Sequence, residues 1–520
     1  MSTYQQGRRV GRPRRRSRWF LAGGLLAGSL VVGAAGAAGA AVGATSLLDP
    51  FPTAGVQRGD DADGDRRGGA DAREPAGDGA GRPDGRDGDG RDAAGAPRGH
   101  GDGPGTGRHP VVEVPCDAGR LVAALVKANA EGGGSLRLAS KCTYTLTQAF
   151  AQPDDYDGGI RDAREAADAA ETPGDAEAPP RNPADDKAGL PVIYQPITID
   201  GAGATIERDV HAEDFRFFTV RDGGELFLRD VELRNGRSKI EGGAVHIVHG
   251  ATAVVERVTV VGSTSLSAEG GGGGIFNDGN LVATDSRFIG NSAAGTAGKG
   301  GGLLNGGVLT LRGSQFHHNS ANGYGGGLGN YRGAADVENT TFVQNSAAQG
   351  GGIASFSART KVLDTAVLGN TAQVGGGIAN SDAVIVLRGM TIRDNTSTLK
   401  GGGISTVQGL LPLDDSVVAG NTTHGLGGGI YAEKSNLLVR GSDVARNGAV
   451  GAKSTGGGIH ATAGQVSIYT SKVVGNNASA RPGGIFAQQA RVRVDDESVV
   501  AGNEPTNCVG SRVPVPHCFR

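Results

Sequence analysis

Residues 350–370 read GGGIASFSARTKVLDTAVLGN, and this stretch determines the fold because the chain repeats its pattern nine times. In every copy a glycine run precedes an aliphatic residue, and an asparagine follows that residue 16 to 18 positions later. Successive asparagines lie 25 to 29 residues apart. A fixed period in this range is typical of stacked supersecondary units that bury their apolar faces against one another.

The segment before each asparagine alternates between apolar and polar side chains. In the copy that ends at Asn319, Leu309 and Leu311 alternate with polar residues, Gly313 follows, and Phe316 precedes the asparagine by three positions. Alternation at period two is typical of a strand with one buried face, and the glycine indicates a turn between two strands. Each copy therefore predicts a glycine run, a short strand, a longer strand, another short strand and a loop. Such coils stack into three parallel sheets, wound right-handed like other parallel crossovers.

The repeated asparagines are predicted to be structural. Coils stacked in register place each asparagine over the next, so that the carboxamides hydrogen-bond along the stack and satisfy groups that would otherwise be buried without partners. The glycine runs lack the Lys-Ser/Thr and the helix of a phosphate-binding loop, so close packing between coils is the favoured interpretation. The predicted asparagine column consists of Asn291, Asn319, Asn345, Asn370, Asn395, Asn421, Asn447, Asn476 and Asn503.

The Gly-Gly-Gly-Ile mark, paired with Phe-x-x-Asn as in Phe288 to Asn291 and Phe316 to Asn319, resembles the polymorphic outer-membrane protein repeat. More broadly the chain resembles secreted bacterial right-handed parallel β-helix proteins of the pectin-lyase-like superfamily. This resemblance covers roughly residues 111–518 and implies the fold. It says little about activity, because one fold hosts lyases, hydrolases, tailspikes and adhesins.

The beginning of the repeat region predicts a cap over the open end of the stack. Asp117 is a suitable N-cap for a short amphipathic helix that contains Leu121 and Leu125. Less regular coils follow this helix and precede the nine clear copies. The predicted fold class is all-β, a right-handed parallel β-helix of roughly a dozen coils over residues 111–518, with a short N-terminal capping helix.

Outside the repeats, composition predicts an export segment and two disordered tracts. Residues 1–49 combine seven arginines with an uncharged run from Trp19 to Ala44, which suits either a cleaved signal peptide or a retained membrane anchor. Residues 50–110 consist mainly of Gly, Asp, Arg, Ala and Pro and predict a disordered linker, while 151–188 predict a disordered insertion in the β-helix domain. The charges are mixed in sign, so no nucleic-acid partner is expected.

The chain has four cysteines in two local pairs, Cys116 with Cys142 and Cys508 with Cys518. In an exported chain such pairs predict two disulfides, one at each end of the stack, where unpaired strand edges need caps. Metal ligation remains the alternative, although no Cys-x-x-Cys pair is present.

Catalytic residues are hard to find in the sequence. Pectate-lyase-type chemistry needs carboxylates around calcium, and polygalacturonase-type chemistry needs paired acids on neighbouring coils. Asp414 and Asp415 are the best local candidates, but Asp415 occupies a turn position that Asp285 and Asp364 share in other copies. No cofactor is expected, and calcium enters only under a catalytic interpretation.

Two functions remain open at this level. The favoured one is a non-catalytic β-helix at the cell surface or outside the cell, serving as a spacer, an adhesin or a binding surface for an extended glycan or a surface protein. Membrane contact is then expected only through the N-terminal segment. The alternative is a polysaccharide lyase or glycoside hydrolase of the pectin-lyase-like type. The low aromatic content, 4% of residues, weighs against a sugar-stacking platform.

Overall fold

A computed structural model describes residues 110–151 and 186–518. These residues form a parallel β-solenoid of about 14 turns. Within the described ranges there is one helix, α1, Ala118–Ala130. The predicted fold class is therefore confirmed, including the short capping helix.

The strands stack into four parallel ladders, in which each strand pairs with its equivalents one coil before and one coil after. Ladder 1 contains Phe218–Val220, Val245–Ile247, Ile275–Asn277, Leu303–Asn305, Leu328–Tyr331, Ile353–Phe356, Ile378–Ser381, Ile404–Val407, Ile430–Glu433 and the first parts of Ile459–Tyr469 and Ile485–Val494. Ladder 2 contains Val111–Val114, Gly134–Leu138, the first parts of Pro196–Arg208 and Glu225–Arg234, Thr252–Glu256, Asn280–Thr284, Val308–Arg312, Ala334–Glu338, Arg359–Leu363, Val384–Arg388, Leu410–Asp414, Ser435–Arg440 and the second parts of the two long C-terminal strands.

Ladder 3 contains Thr143–Leu146, the second parts of Pro196–Arg208 and Glu225–Arg234, Thr259–Val261, Arg287–Ile289, Gln315–His317, Thr341–Val343, Ala366–Leu368, Thr391–Arg393, Val417–Ala419, Asp443–Ala445, Lys472–Val474 and Val499–Ala501. Ladder 4 contains Arg237–Ser238, Thr264–Ser265, Ser292–Ala293, Ser320–Tyr324, Ser346–Gln349, Thr371–Val374, Thr396–Lys400, Thr422–Thr423, Gly448–Ala449 and Asn477–Ala478.

Ladder 4 was not predicted from the sequence, which placed a loop after each asparagine. Its strands are two to five residues long and polar, as in Ser346–Gln349, so they show too few alternations to be recognised. They pair because the coils before them are already in register, with Ser346 opposite Thr371 in the next coil. Register set by the longer strands therefore extends the pairing into the loop.

The core consists of columns of like side chains that point inward from ladders 1, 2 and 3. Ile353 and Ile378 lie in register on ladder 1 and are fully buried. On ladder 3, the rings of Phe288, Phe316 and Phe342 stack with centroids 4.4 and 4.8 Å apart. Aromatic pairs at such distances add to the stabilisation from area burial alone.

The nine asparagines form one buried column at the corner after ladder 3. The Asn370 side-chain amide donates to Asn395 Oδ1 at 3.0 Å, while Asn370 Oδ1 accepts from the Asn345 amide at 3.0 Å. Each amide also donates to a main-chain carbonyl, for Asn370 that of Phe342. The column ends on Asn507, whose Oδ1 accepts from the Asn503 side chain at 2.9 Å, although Asn507 lies outside the repeat period.

A second buried polar column, not predicted from the sequence, lies inside ladder 1. The Asn277 amide donates to Asn305 Oδ1 at 2.7 Å, and the Asn305 amide donates to Asn330 Oδ1 at 2.9 Å. Asn330 in turn donates to Thr360 Oγ1 at 2.9 Å. In later coils the column continues through Ser355, Asn380, Thr406 and Ala432, so its sequence signature is weak.

Both ends of the solenoid are capped as expected. The Asp117 carboxylate accepts from the Arg120 main-chain amide at 2.8 Å and caps α1, which buries Leu121 and Leu125. Disulfides join Cys116 to Cys142 and Cys508 to Cys518.

Part of the predicted insertion belongs to the solenoid, because residues 186–188 are packed on it. Arg216 is fully buried and donates to Asp186 Oδ1, to Thr219 Oγ1 at 3.0 Å and to Ser238 Oγ at 3.0 Å. Although burial opposes ionisation, Arg216 and its neighbours hold the pKa of Asp186 well below its usual range. These contacts place residues 186–188, the last three of the predicted insertion, against the solenoid. The rest of the insertion (152–185), the export segment and the linker up to 109 lie outside the described residues.

Within residues 110–151 and 186–518, no helix has the length and apolar character needed to cross a membrane.

Candidate functional site

Asp414 and Asp415, the catalytic candidates from the sequence, lie at the corner between ladders 2 and 3. The Asp414 carboxylate accepts two hydrogen bonds from the Arg440 guanidinium, at 2.8 and 2.7 Å. Asp415 has a left-handed φ of 49° and lies 3.3 Å from Arg388 Nε. Both carboxylates are thus engaged with arginines of neighbouring coils, and neither lines the groove described next.

No cluster of three or more His, Cys, Asp or Glu side chains in the described part of the chain has a geometry that could hold a metal ion.

A groove of about 830 Å³ runs along the corner between ladders 1 and 2 and crosses five neighbouring coils and the edge of a sixth. Small residues form much of its floor, among them Gly307, Gly333, Ala358, Ala383 and Gly409. Neighbouring parallel strands lie about 4.8 Å apart, so the groove is on the order of 20 Å long. Its length and direction suit an extended chain that lies across several coils.

The two walls of the groove differ in chemistry. On the ladder 1 side, one turn residue per coil projects from the corner, and these residues are Arg332, Ser357, Asp382, Gln408 and Lys434. On the ladder 2 side, Val308, Val384 and Leu410 are 54%, 39% and 41% exposed and give an apolar wall that Arg359 interrupts. Exposed branched aliphatic side chains in a row are a surface that a ligand with apolar faces can cover.

An aromatic patch lies beside one end of the groove, formed by Tyr324, Tyr331 and Phe356. Tyr331 and Phe356 occupy the same position on neighbouring coils, and their rings stack at 5.3 Å with an interplanar angle of 14°. The Tyr324 ring lies 5.5 Å from Phe356. Cations flank the patch, because Lys299 Nζ and the Arg332 guanidinium lie 5.1 and 5.2 Å from the Tyr331 ring centre. All three rings remain partly exposed.

A polar cluster lies beside the other end of the groove, on the outer face of ladder 1. The Tyr431 hydroxyl donates to Glu433 Oε2 at 2.7 Å, and Lys400 Nζ donates to the same oxygen at 3.1 Å. Lys400 also lies 4.7 Å from the Tyr431 ring centre. His460 stacks on Tyr431 at 5.5 Å, and its Nδ1 lies 3.0 Å from Thr455 Oγ1. Glu433 precedes Lys434, which links this cluster to the groove wall.

The protonation states of the cluster follow from burial and from these contacts. Burial opposes ionisation of Glu433, but Tyr431 and Lys400 together hold its pKa below the usual value. Burial raises the pKa of Tyr431, and the hydrogen bond to Glu433 raises it further. Burial lowers the pKa of His460 to about 4. At neutral pH the cluster therefore combines an ionised carboxylate, a neutral phenol and a neutral imidazole.

Some buried polar atoms around this cluster are without a hydrogen-bond partner among the described residues. They include Ser405 Oγ and His460 Nε2, in residues that are 1% and 2% exposed. Ser405 precedes Tyr431 in the same column of ladder 1, and His460 follows it. A buried polar atom without a partner costs free energy, and a binding or catalytic role is one explanation for its presence.

Neither the aromatic patch nor the polar cluster was predicted from the sequence. They can be located in the sequence by counting positions from the aliphatic residue that follows the glycine run of each copy. Three positions after Leu328, Ile353 and Ile430 come Tyr331, Phe356 and Glu433, and the next position in each copy faces the groove. The aromatic content of the whole chain is low, so the three aromatic side chains of the patch are recognised as neighbours only when the register of the coils is known.

No known protein family and no curated protein sequence match this chain. Among solved structures, the A-module of Azotobacter vinelandii mannuronan C-5 epimerase AlgE6 is 13% identical, with a TM-score of 0.39 over 74% of this chain and 96% of that one. Tailspike protein 3 of bacteriophage CBA120 is 14% identical, with a TM-score of 0.37 over 76% and 59%. The periplasmic alginate epimerase AlgG is 11% identical, with a TM-score of 0.32 over 72% and 88%.

These three are β-helix proteins. Identities and scores this low carry no information on what the present chain binds or does. The strand pairing described above defines this chain by itself as a parallel β-helix protein.

Proposed function

We propose that this protein is an exported, surface-associated β-helix that binds an extended glycan along the groove between ladders 1 and 2. The observation that carries the proposal is the stacked pair of Tyr331 and Phe356 at the edge of a groove that crosses several coils. Sugar rings present apolar C–H faces and hydroxyl edges. The aromatic faces and the aliphatic wall can pack against the C–H faces of the sugar rings. The polar turn residues can hydrogen-bond to the hydroxyl groups.

The cellular location belongs to the same proposal and rests on the sequence. The arginine-rich start followed by an apolar run supports export, and disulfides persist in oxidising compartments. The tract at 50–110 would then connect the solenoid to the membrane or to the site of cleavage.

A second candidate function is an enzyme that acts on the bound glycan, and the polar cluster of Lys400, Tyr431, Glu433 and His460 favours it. These side chains supply a cation, a phenolic acid and a neutral imidazole at one end of the groove. They offer one carboxylate, whereas glycoside hydrolysis normally uses two. Proton transfer by lyase-type chemistry therefore suits this cluster better than hydrolysis.

The first experiment measures binding of linear glycans to the purified protein by calorimetry. Replacing Tyr331 and Phe356 together by alanine should weaken binding at least about tenfold, the equivalent of about 1.4 kcal/mol. The control is Tyr469→Ala, which removes an aromatic side chain that is 38% exposed on ladder 2, outside the groove. Equal binding by all three proteins would show that the patch is not the site.

The same incubations can test the second candidate by following unsaturated product and reducing ends. Turnover that disappears in Tyr431→Phe but persists in Asp415→Asn would favour the enzyme over the binding protein. Binding without turnover favours the first function.

A further inference from the structure

We infer that the groove selects glycans that carry anionic groups at intervals along the chain. This inference rests on the proposed function and specifies its ligand class. Of the side chains that line the groove, Arg332, Arg359 and Lys434 are cationic and Asp382 is anionic. The lining therefore has three positive charges and one negative charge, a net charge of +2.

The three groove cations are not engaged in ion pairs, although the Arg332 guanidinium lies against the Tyr331 ring. On ladder 2 and its corners, cations typically pair with a carboxylate one coil away, as Arg312 does with Glu338 at 2.6 Å and Arg440 with Asp414 at 2.7 Å. Arg332, Arg359 and Lys434, by contrast, form no ion pair with any described residue. The charges of these three side chains are therefore not offset by an ion-pair partner among the described residues.

The turn positions of the groove support a selective role for these side chains. Arg332 and Lys434 have left-handed φ values of 63° and 49°, which cost long side chains more than Asn, Asp or Gly. At the corner between ladders 2 and 3, the same conformation is mostly taken by Asp, Asn and Gly, as at Asp285, Asn339 and Gly313. A cation on the groove wall therefore occupies a position whose backbone does not favour it.

The spacing of the cations sets the size of the ligand. Arg332 and Arg359 come from neighbouring coils and stand on opposite walls, whereas Lys434 lies three coils beyond Arg359. Arg332 and Lys434 are four coils apart, which at about 4.8 Å per coil places the two ends of the charged groove about 19 Å apart. One sugar ring cannot reach both ends, so the ligand is a polymer with repeated charge. Guanidinium groups pair with carboxylate or sulfate oxygens through two hydrogen bonds.

The test uses three soluble polymers with the same β-linked glucose backbone: carboxymethylcellulose, cellulose sulfate and uncharged hydroxyethylcellulose. Binding to the full-length protein is measured at low and at high salt. The structure predicts tight binding of a charged polymer that weakens with salt, and at least about tenfold weaker binding of the uncharged one. The carboxylated and sulfated arms identify the preferred anion.

Substitutions in the groove test which side chains cause the salt-dependent binding. The triple variant Arg332→Gln, Arg359→Gln, Lys434→Gln should lose the salt-dependent part of binding; glutamine is tolerated at the turn positions, since Gln408 occupies the same corner. Asp382→Asn should instead bind the charged polymer more tightly, a gain that misfolding cannot produce. Arg388→Gln removes an exposed cation paired with Asp415 outside the groove and should bind like the parent protein.

The outcomes separate this inference from the proposed function. If all three polymers bind equally well and salt has no effect, charge selection is wrong while glycan binding stands. If the charged polymers bind but the triple variant binds them as well as the parent, the anion site lies elsewhere and the inference fails. If none of the polymers binds and Asp382→Asn gains nothing, both the inference and glycan binding in this groove fail.

Discussion

At the scale of single residues, His460 is an ionisable side chain that the solenoid buries in its neutral form. Its ring lies between Tyr431 and Phe486, with centroid distances of 5.5 and 4.7 Å, and it is 2% exposed. A buried imidazole loses the hydration that stabilises its charged form, which lowers its pKa to about 4 from an ordinary 6.5. Folding therefore competes with protonation at this residue.

The sign of the resulting pH effect is determined by the lowered pKa. As pH falls through 6.5 the unfolded chain takes up a proton that the folded chain resists until about pH 4. With respect to His460, the free energy of unfolding therefore keeps its full value above pH 6.5. It falls progressively between pH 6.5 and pH 4, by up to about 3 kcal/mol, because protonation of His460 favours the unfolded chain.

Urea unfolding at pH 7 and at pH 5 measures this loss. His460→Phe keeps an aromatic ring in the stack and should show a smaller loss of unfolding free energy between the two pH values. His424→Gln changes an exposed histidine and should leave the parent's difference unchanged. If His460→Phe responds to pH as the parent does, the ring is not buried in the neutral form.

At the scale of the elements, the asparagine column carries stability from coil to coil. Asn370 is fully buried and connects Asn345 to Asn395 through its carboxamide. The sequence predicts this column because one residue type recurs at a constant period. It does not predict the column that begins with Asn277, Asn305 and Asn330, because different residue types follow in later coils, namely Ser355, Asn380, Thr406 and Ala432. Nor does it predict Asn507, which ends the first column from outside the repeat.

Replacing Asn370 by leucine tests the column. The substitution leaves the Asn345 amide and Asn395 Oδ1 without their side-chain partner and should cost roughly 1–3 kcal/mol of unfolding free energy. Asn280→Leu serves as the control, because Asn280 is an exposed asparagine at the start of a ladder 2 strand. Equal denaturation midpoints for the two variants would mean that the column adds nothing to stability.

At the scale of the whole molecule, the repeat predicts the fold but does not predict the groove. Period, alternation and glycine runs predict the parallel β-helix because each coil carries them independently. The groove draws Val308, Arg332 and Lys434 from different coils, and none of them belongs to a repeated mark. Such a site becomes visible only when the register of neighbouring coils is known, since it depends on the residues in which the copies differ.

A solenoid whose coils contact only their neighbours should tolerate the removal of one complete coil. Deleting residues 264–291 removes 28 residues and joins Ser263 to Ser292, residues at the equivalent corner of successive coils. The inward columns then remain in register, and the groove, which begins at Gly306, keeps all its lining residues. We expect a folded protein with a cooperative thermal transition and nearly unchanged glycan binding, because stability in such arrays is close to a sum over neighbouring units.

Deletion of residues 264–277 alone provides the contrasting case. It removes half of this coil, so the strands of ladder 1 and ladder 2 no longer meet their equivalents and apolar side chains leave the core. This variant should be insoluble or lack a cooperative transition, as circular dichroism during heating would show.

If the full-coil deletion also fails to fold, stability depends on particular coils and not on their register. If it folds but no longer binds glycan, the binding site extends upstream of Gly306 and the groove described here is only part of it.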